Sequence, residues 1–251
     1  MTALRFLQIT DTHLVGDPGG RQRGVITLDS FRAVLRAALS PEVDGVLLTG
    51  DVVHDDPDGY AWVQRELGAC GRPVLCIPGN HDDGELLRDR LPGEPFRHGG
   101  HHDFGAWRIV MLDSLLPGAV EGRLQDAELR RLDAALADAT DRHALIVLHH
   151  HPVALGSRWL DAIGLINASE FFEIIERHSQ VRGILWGHVH QAFESRRLHA
   201  QGDLRLMATP STCVQFRPGA EDFELDTLPP GFRLLELHRD GRIDSSVGWL
   251  S

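Results

Sequence analysis

The chain has 251 residues, 42% of them hydrophobic, which suffices for one sizeable core or for a domain with an appended piece. Its formal net charge of −11 argues against a general binder of nucleic acid or of an anionic membrane, because an acidic surface gains nothing from counterion release. The three cysteines, Cys70, Cys76 and Cys213, are odd in number and form no Cys-x-x-Cys pair, which suits reduced thiols in the cytoplasm. Met1 to Arg5 shows no signal-peptide charge block ahead of a long apolar stretch. No apolar run is long enough to span a bilayer. Oligomeric state leaves no readable mark.

Leu4 to Thr10 is short, apolar and partly alternating, and predicts a strand that ends at Asp11. From Leu28 to Leu39, Phe31, Val34, Leu35 and Ala38 share one helical face, with Asp29 or Ser30 as the expected N-cap. Val46-Leu47-Leu48 predicts a buried strand ending at Asp51, Tyr60 to Leu67 a helix, and Val74 to Ile77 a strand closed by Pro78-Gly79. This β-α-β-α-β alternation implies right-handed crossovers and a largely parallel sheet. Further on, Trp107 to Leu112, Ala144 to Leu148 and Val181 to Trp186 predict strands, and Leu124 to Leu136 and Ala168 to Glu176 predict helices. Leu204 to Ala208, Phe232 to His238 and Arg242 to Val247 then read as strands without intervening helices, the last two joined at Asp240-Gly241. The C-terminal part is expected to add antiparallel strands. No linker is visible, so residues 1–251 are expected to form a single domain.

Polar motifs follow the predicted strands: Asp11-Thr12-His13, Gly50-Asp51, Gly79-Asn80-His81, His149, and Gly187-His188-Val189-His190. In a parallel α/β sheet, ligand sites lie beyond the carboxyl ends of the strands, where all of these motifs sit. Asp11 and His13, two residues apart at a strand end, can reach one metal, and His188 and His190 repeat the spacing. Asp51 has two carboxylate oxygens and can bridge two cations, while Asn80 adds a neutral oxygen. Mixed nitrogen and oxygen donors suit iron, manganese, zinc or cobalt better than calcium or magnesium. Two divalent cations, two aspartates and a bridging hydroxide leave about one positive charge, which would draw in a phosphodiester monoanion. Such a pair activates hydroxide for in-line attack on phosphorus. His81, beside Asn80, is free to protonate the leaving oxygen.

These blocks resemble the calcineurin-like metallophosphoesterase family, whose pattern is D-x-H, G-D, G-N-H, H and G-H-x-H. Leu7 to Leu14, Leu148-His149-His150-His151-Pro152 and Ala208 to Phe216 further resemble its bacterial class III cyclic-AMP phosphodiesterases, and the similarity covers nearly the whole chain. The resemblance implies an α/β fold, a four-layer α/β/β/α metallophosphoesterase sandwich. It implies a first metal held by Asp11, His13 and His190. A second would be held by Asn80, His149 and His188, with Asp51 bridging the two. The metals would be two divalent ions, Fe2+, Mn2+ or Zn2+. Catalysis would fall to His81, Asp51 and Asn80, and substrate contacts to His13, Asp51, Asn80, His81 and His190. The expected substrate is a small-molecule cyclic nucleotide, 3′,5′-cyclic AMP, hydrolysed to 5′-AMP. The alternatives are glycerophosphodiesters, 2′,3′-cyclic nucleotides, nucleotide pyrophosphates, or a non-catalytic scaffold of the same fold.

The other histidines invite plainer readings. His150 should point away from the ligands, and His151 can face either pocket or core. His54 reads as a solvated loop residue, and His98, His101 and His102 as part of a Gly-rich turn. His143, His178, His199 and His238 join no constellation. Trp159 and Phe216 can stack a purine, although aromatic residues more often serve packing.

Overall fold

The structure, a computed structural model, describes residues 3–200 and 202–251; Met1 and Thr2 of the expected N-terminal stretch lie outside the described residues. In chain order, β1 (Leu4–Ile9) is followed by a ribbon of β2 (Arg21–Gln22) and β3 (Val25–Ile26), then α1 (Thr27–Ala38), β4 (Gly45–Thr49), α2 (Tyr60–Leu67) and β5 (Val74–Ile77). Next come α3 (Gly84–Arg90), β6 (Phe96–His98), β7 (Gly100–Phe104), β8 (Trp107–Met111), α4 (Asp126–Ala137) and β9 (His143–Val147). The last elements are α5 (Arg158–Asp161), α6 (Ala168–Arg177), β10 (Val181–Trp186), β11 (Phe193–His199), β12 (Gly202–Ala208), β13 (Gly231–Leu237) and β14 (Ile243–Trp249).

These strands make two six-stranded sheets, ordered β14-β13-β1-β4-β5-β6 and β11-β12-β10-β9-β8-β7. The neighbours among β1, β4, β5 and β6 are parallel, as are those among β8, β9, β10 and β12. β13, β14, β11 and β7 add antiparallel edges. Three apolar layers explain why the parallel strands read as unbroken apolar runs. In β4 and β5, Val46, Leu48, Val74 and Cys76 pack beneath helices with Phe31, Val34 and Val63. Leu47, Leu75 and Ile77 point the other way, against Ile109, Leu145, Val147 and Leu185 of the second sheet. On the far side, Val110, Ile146 and Ile184 pack under Leu132, Phe171 and Ile175 of α4 and α6. The order is therefore helix, sheet, sheet, helix. Ile9 pairs with Leu48, Leu48 with Cys76, and Val147 with Leu185, so the carboxyl ends of the central strands come out together.

The structure corrects several expectations. Helix α1 starts at Thr27 after Ile26, without a side-chain cap; Asp29 lies in its first turn, and the Ser30 hydroxyl donates to the Thr212 carbonyl. His98 ends β6 and His101 and His102 lie within β7, so the turn is confined to Gly99 and Gly100, at φ 55° and 73°. β12 is antiparallel to β11 yet parallel to β10, so the C-terminal addition is mixed. Among the described residues no helix is long and apolar enough to cross a membrane.

Candidate metal centre

The site is made by the loops that leave β1, β4, β5, β9 and β10. Five of its non-glycine residues sit in the left-handed backbone region: Asp11 (φ 52°), His13 (46°), Asp51 (48°), His188 (66°) and His190 (49°). Such residues are uncommon and cost free energy, and they gather where function over-determines the backbone. Asp11 and His13 thus converge through two left-handed kinks, not through the pleat of a strand, and His188 and His190 do the same. The loops are laced together. Asp11 N–H donates to the Gly50 carbonyl and His13 N–H to that of Asp51, both at 3.0 Å. His188 N–H donates to the Asp11 carboxylate at 3.0 Å, and His81 N–H to Asp51 Oδ1 at 2.9 Å. The backbone passes so close at Gly79 that a Cβ there would lie 2.2 Å from Asp51 Oδ1.

Two donor groups result. In the first, Asp11 Oδ1 lies 3.3 Å from His190 Nε2, which lies 3.1 Å from His13 Nε2. In the second, Asp51 Oδ1 lies 3.4 Å from His149 Nε2, and the rings of His149 and His188 meet at 5.1 Å. The other Asp51 oxygen faces back to His13 Nε2 at 3.9 Å, so this carboxylate stands between the groups. The outer ring nitrogens are anchored on carbonyls: His149 Nδ1 at Thr49 (2.8 Å), His190 Nδ1 at Val214 (2.6 Å) and His188 Nε2 at Ile163 (3.1 Å). That leaves one nitrogen of each ring for the cluster, as metal-ligating histidines require. Asn80 Oδ1 is a buried acceptor without a hydrogen-bond partner, and His149 Nε2 meets only the Asp51 carboxylate. An orphaned acceptor among histidines and carboxylates fits a divalent cation, and the cluster can hold metal.

The electrostatics agree. Burial would raise the Asp11 and Asp51 carboxyls, but the facing His190 and His149 hold them below the usual range, Asp51 well below it. Burial would lower His149, yet Asp51 overrides it and holds the ring up at about 9. Burial pushes His13 down to about 3, only partly opposed by Asp51, and takes His188 well below its ordinary value. Those rings carry lone pairs already.

His81 points its Nδ1 at the Asp55 carboxylate (3.2 Å). His54 is not a solvated bystander. It is half-buried, its ring 4.4 Å from that of His81, and its Nδ1 is 3.2 Å from His13 Nδ1. His150 is buried on Ser114, yet its ring lies 4.7 Å from that of His188. His151 stacks on His188 at 5.7 Å, and its ring nitrogens are buried without partners.

Asp82 escaped the sequence reading. It is buried and accepts from Val52 N–H (3.1 Å), Val53 N–H (3.2 Å), Gly79 N–H (2.9 Å) and Tyr60 O–H (2.8 Å), so it ties the Asp51 loop to the Asn80 loop. Burial, with the charge of Asp51, pushes its carboxyl up to about 6. Its position directly after His81 was the sole available signal. A cavity of about 350 Å³ opens over the cluster, lined by His13, Asp51, Asn80, His81, His188 and His190 and, beyond them, by Trp159, Phe216, Phe223 and Arg23.

Two facing sheets with this cluster at their carboxyl edge define a metal-dependent phosphoesterase architecture. Residues 4–192 match the model of the calcineurin-like phosphoesterase family, and the chain belongs to that family. It is 42% identical over 245 residues to the 3′,5′-cyclic adenosine monophosphate phosphodiesterase CpdA of Pseudomonas aeruginosa, covering 96% of this chain and 88% of that protein. It is 39% identical over 249 residues to the protein of the same name from Escherichia coli K12, covering 97% and 89%. Among solved structures, a dimetal phosphatase from Danio rerio superposes with a TM-score of 0.66 over the full length of both chains at 18% identity, which shows the shared fold.

Proposed function

We propose that this protein is a 3′,5′-cyclic-AMP phosphodiesterase that hydrolyses its substrate to 5′-AMP at a dinuclear centre of iron, manganese or zinc. The observation that carries the reaction is Asp51, whose two oxygens face His13 on one side and His149 on the other. The substrate is supported by the relatives named above, which this chain resembles along nearly its whole length. Residues 1–251 act as one domain, a reading supported by apolar layers that draw on both halves of the chain. It works in the cytoplasm, which the free thiols of Cys70, Cys76 and Cys213 support.

In this reading Asp11, His13 and His190 would hold one metal, Asn80, His149 and His188 would hold the other, and Asp51 would serve both. When bound, such a pair lowers the pKa of water and neutralises charge on the phosphoryl oxygens. Asp11 and Asp51 leave the site positive enough to receive a diester monoanion. Asp55 occupies Nδ1 of His81, so Nε2 is the nitrogen presented to the departing 3′ oxygen, to which it delivers a proton. Asp82 acts through the loops, keeping Asp51 and Asn80 in register. The deciding experiment compares kcat/KM for 3′,5′-cyclic AMP, 3′,5′-cyclic GMP, 2′,3′-cyclic AMP and glycerophosphodiesters with manganese or iron supplied. A non-nucleotide diester turned over far faster than 3′,5′-cyclic AMP refutes the substrate and spares the two-metal chemistry.

A further inference from the structure

The cavity wall beyond the cluster is aromatic and comes from three separate segments. Trp159 belongs to α5, Phe216 follows the loop after β12, and Phe223 lies in the connection to β13. They meet edge to face: Trp159 and Phe216 at 5.2 Å, Trp159 and Phe223 at 5.3 Å, Phe216 and Phe223 at 5.3 Å. Phe216 also stacks on His190 at 3.9 Å and 8°, so the wall starts at the cluster itself.

Two features set these rings apart from ordinary packing. Phe223 is 44% exposed on a cavity wall, where a large apolar ring gains little from folding. Trp159 Nε1–H is buried and has no acceptor among the described residues. A buried donor left unpaired is costly, and because Nε1 has no surface on the cavity, a ligand atom supplies the acceptor once the indole turns toward it. A cation completes the arrangement. Arg23 and Gly24, at φ 50° and 93°, form the two-residue turn of the β2–β3 ribbon, as a type I′ turn demands. The Arg23 guanidinium lies 4.9 Å from the centre of the Phe223 ring and joins the N-terminal ribbon to the C-terminal loop across the cavity mouth.

We propose that Trp159, Phe216 and Phe223, latched by Arg23, form a purine subsite. The base of the nucleotide packs against the rings, and one of its ring nitrogens accepts from Trp159 Nε1–H. This rests on the cyclic-nucleotide reading above. Base–aromatic stacking tolerates any base with a π face, so the subsite separates nucleotides from base-free diesters and does not separate adenine from guanine.

The test uses the full chain with manganese and two esters: 3′,5′-cyclic AMP and methyl riboside 3′,5′-cyclic phosphate, which is the same ring without a base. Phe223→Ala should lower kcat/KM for cyclic AMP by about 10- to 50-fold, chiefly through KM, the loss of one stacking partner. Trp159→Phe should lower it by about 5-fold, the effect of one hydrogen bond. Both variants should keep the wild-type rate on the base-free ester, which also shows that they fold. In calorimetry on metal-free protein, wild type should bind 5′-AMP more tightly than ribose 5-phosphate, and Phe223→Ala should lose that preference. Equal losses on the two esters in both variants overturn the subsite and leave the cyclic-AMP reading intact. A wild type that turns over neither cyclic ester overturns both.

Discussion

Asp51 is the carboxylate that faces both donor groups, so its loss should be felt by both metals. Asp51→Ala is expected to empty both sites in elemental analysis and to abolish hydrolysis; a variant that keeps both metals would refute the bridging role. His81 should behave differently. His81→Ala is expected to keep its metals and lose about 10²–10⁴-fold on esters with poor alkoxide leaving groups, with a much smaller loss on a nitrophenolate, which departs without a proton. Equal losses on both would assign His81 to charge stabilisation instead. The metal-free site also makes a pH prediction. His149 is held protonated up to about 9 by Asp51, whereas His13, down at about 3, is neutral at physiological pH. The ligand form of His149 is the neutral ring, so protons compete with metal below about 9. Metal affinity should therefore rise with pH up to that value, by at most about tenfold per unit. Metal titrations at pH 6.5, 7.5 and 8.5 with proton release followed in parallel check this, and a flat affinity would contradict it.

At the scale of elements, the loops matter more than the strands they leave. Asp82 satisfies three backbone N–H groups in two loops and the Tyr60 hydroxyl of α2. Asp82→Ala leaves those buried donors unpaired and should cost about 2–4 kcal/mol of stability together with weaker metal binding. Tyr60→Phe, which removes one donor and leaves the loops tied, should cost only about 1 kcal/mol and spare metal affinity. Denaturant titration beside metal titration separates the two. The elements with a buried apolar face were legible in the sequence. The expected bounds of Tyr60–Leu67, Val74–Ile77 and Val181–Trp186 are those observed. The short or polar ones were not legible. Helix α3 spans 7 residues, too few for a periodicity, though Asp83 caps it on Glu85 and Leu86. β11, Phe193–His199, is a charged edge strand with no buried residue, so its pattern carries no apolar signal.

For the whole molecule, the proposed ligands come from loops in both sheets, so only the folded chain would assemble the metal site. Removing metal with a chelator should lower Tm; a site held at about 100 times its Kd contributes about 2.7 kcal/mol. For a chain of this size that corresponds to roughly 5–10 °C per site. Re-addition of manganese or iron should restore it, and a Tm indifferent to chelation would argue against a metal shared by the two sheets. Beneath the cluster the sheets are also joined by a buried polar network. Gln8 donates to Thr49 Oγ1 (2.9 Å) and the Trp186 carbonyl (3.2 Å) and accepts from Thr209, which Arg233 meets at 3.1 Å.

The motifs carry the reaction chemistry and the apolar runs a largely parallel α/β sheet, whereas the four layers were implied by the family resemblance and are seen in the structure. Donor residues at strand ends are a local pattern, and unbroken apolar strands follow from burial on both faces. Asp11, His13, Asp51, Asn80, His149, His188 and His190 were all named from motifs at predicted strand ends, and the structure brings them together. What surrounds them depends on contacts that form only in the folded chain. His54 enters the site because the loop after β4 runs beside the loop after β1, His54 N–H donating to the Leu14 carbonyl. Asp82 matters because two loops meet on its carboxylate. Arg23 reaches Phe223 across two hundred positions of chain. None of these has a periodicity or a spacing, because each depends on contacts between segments far apart in sequence.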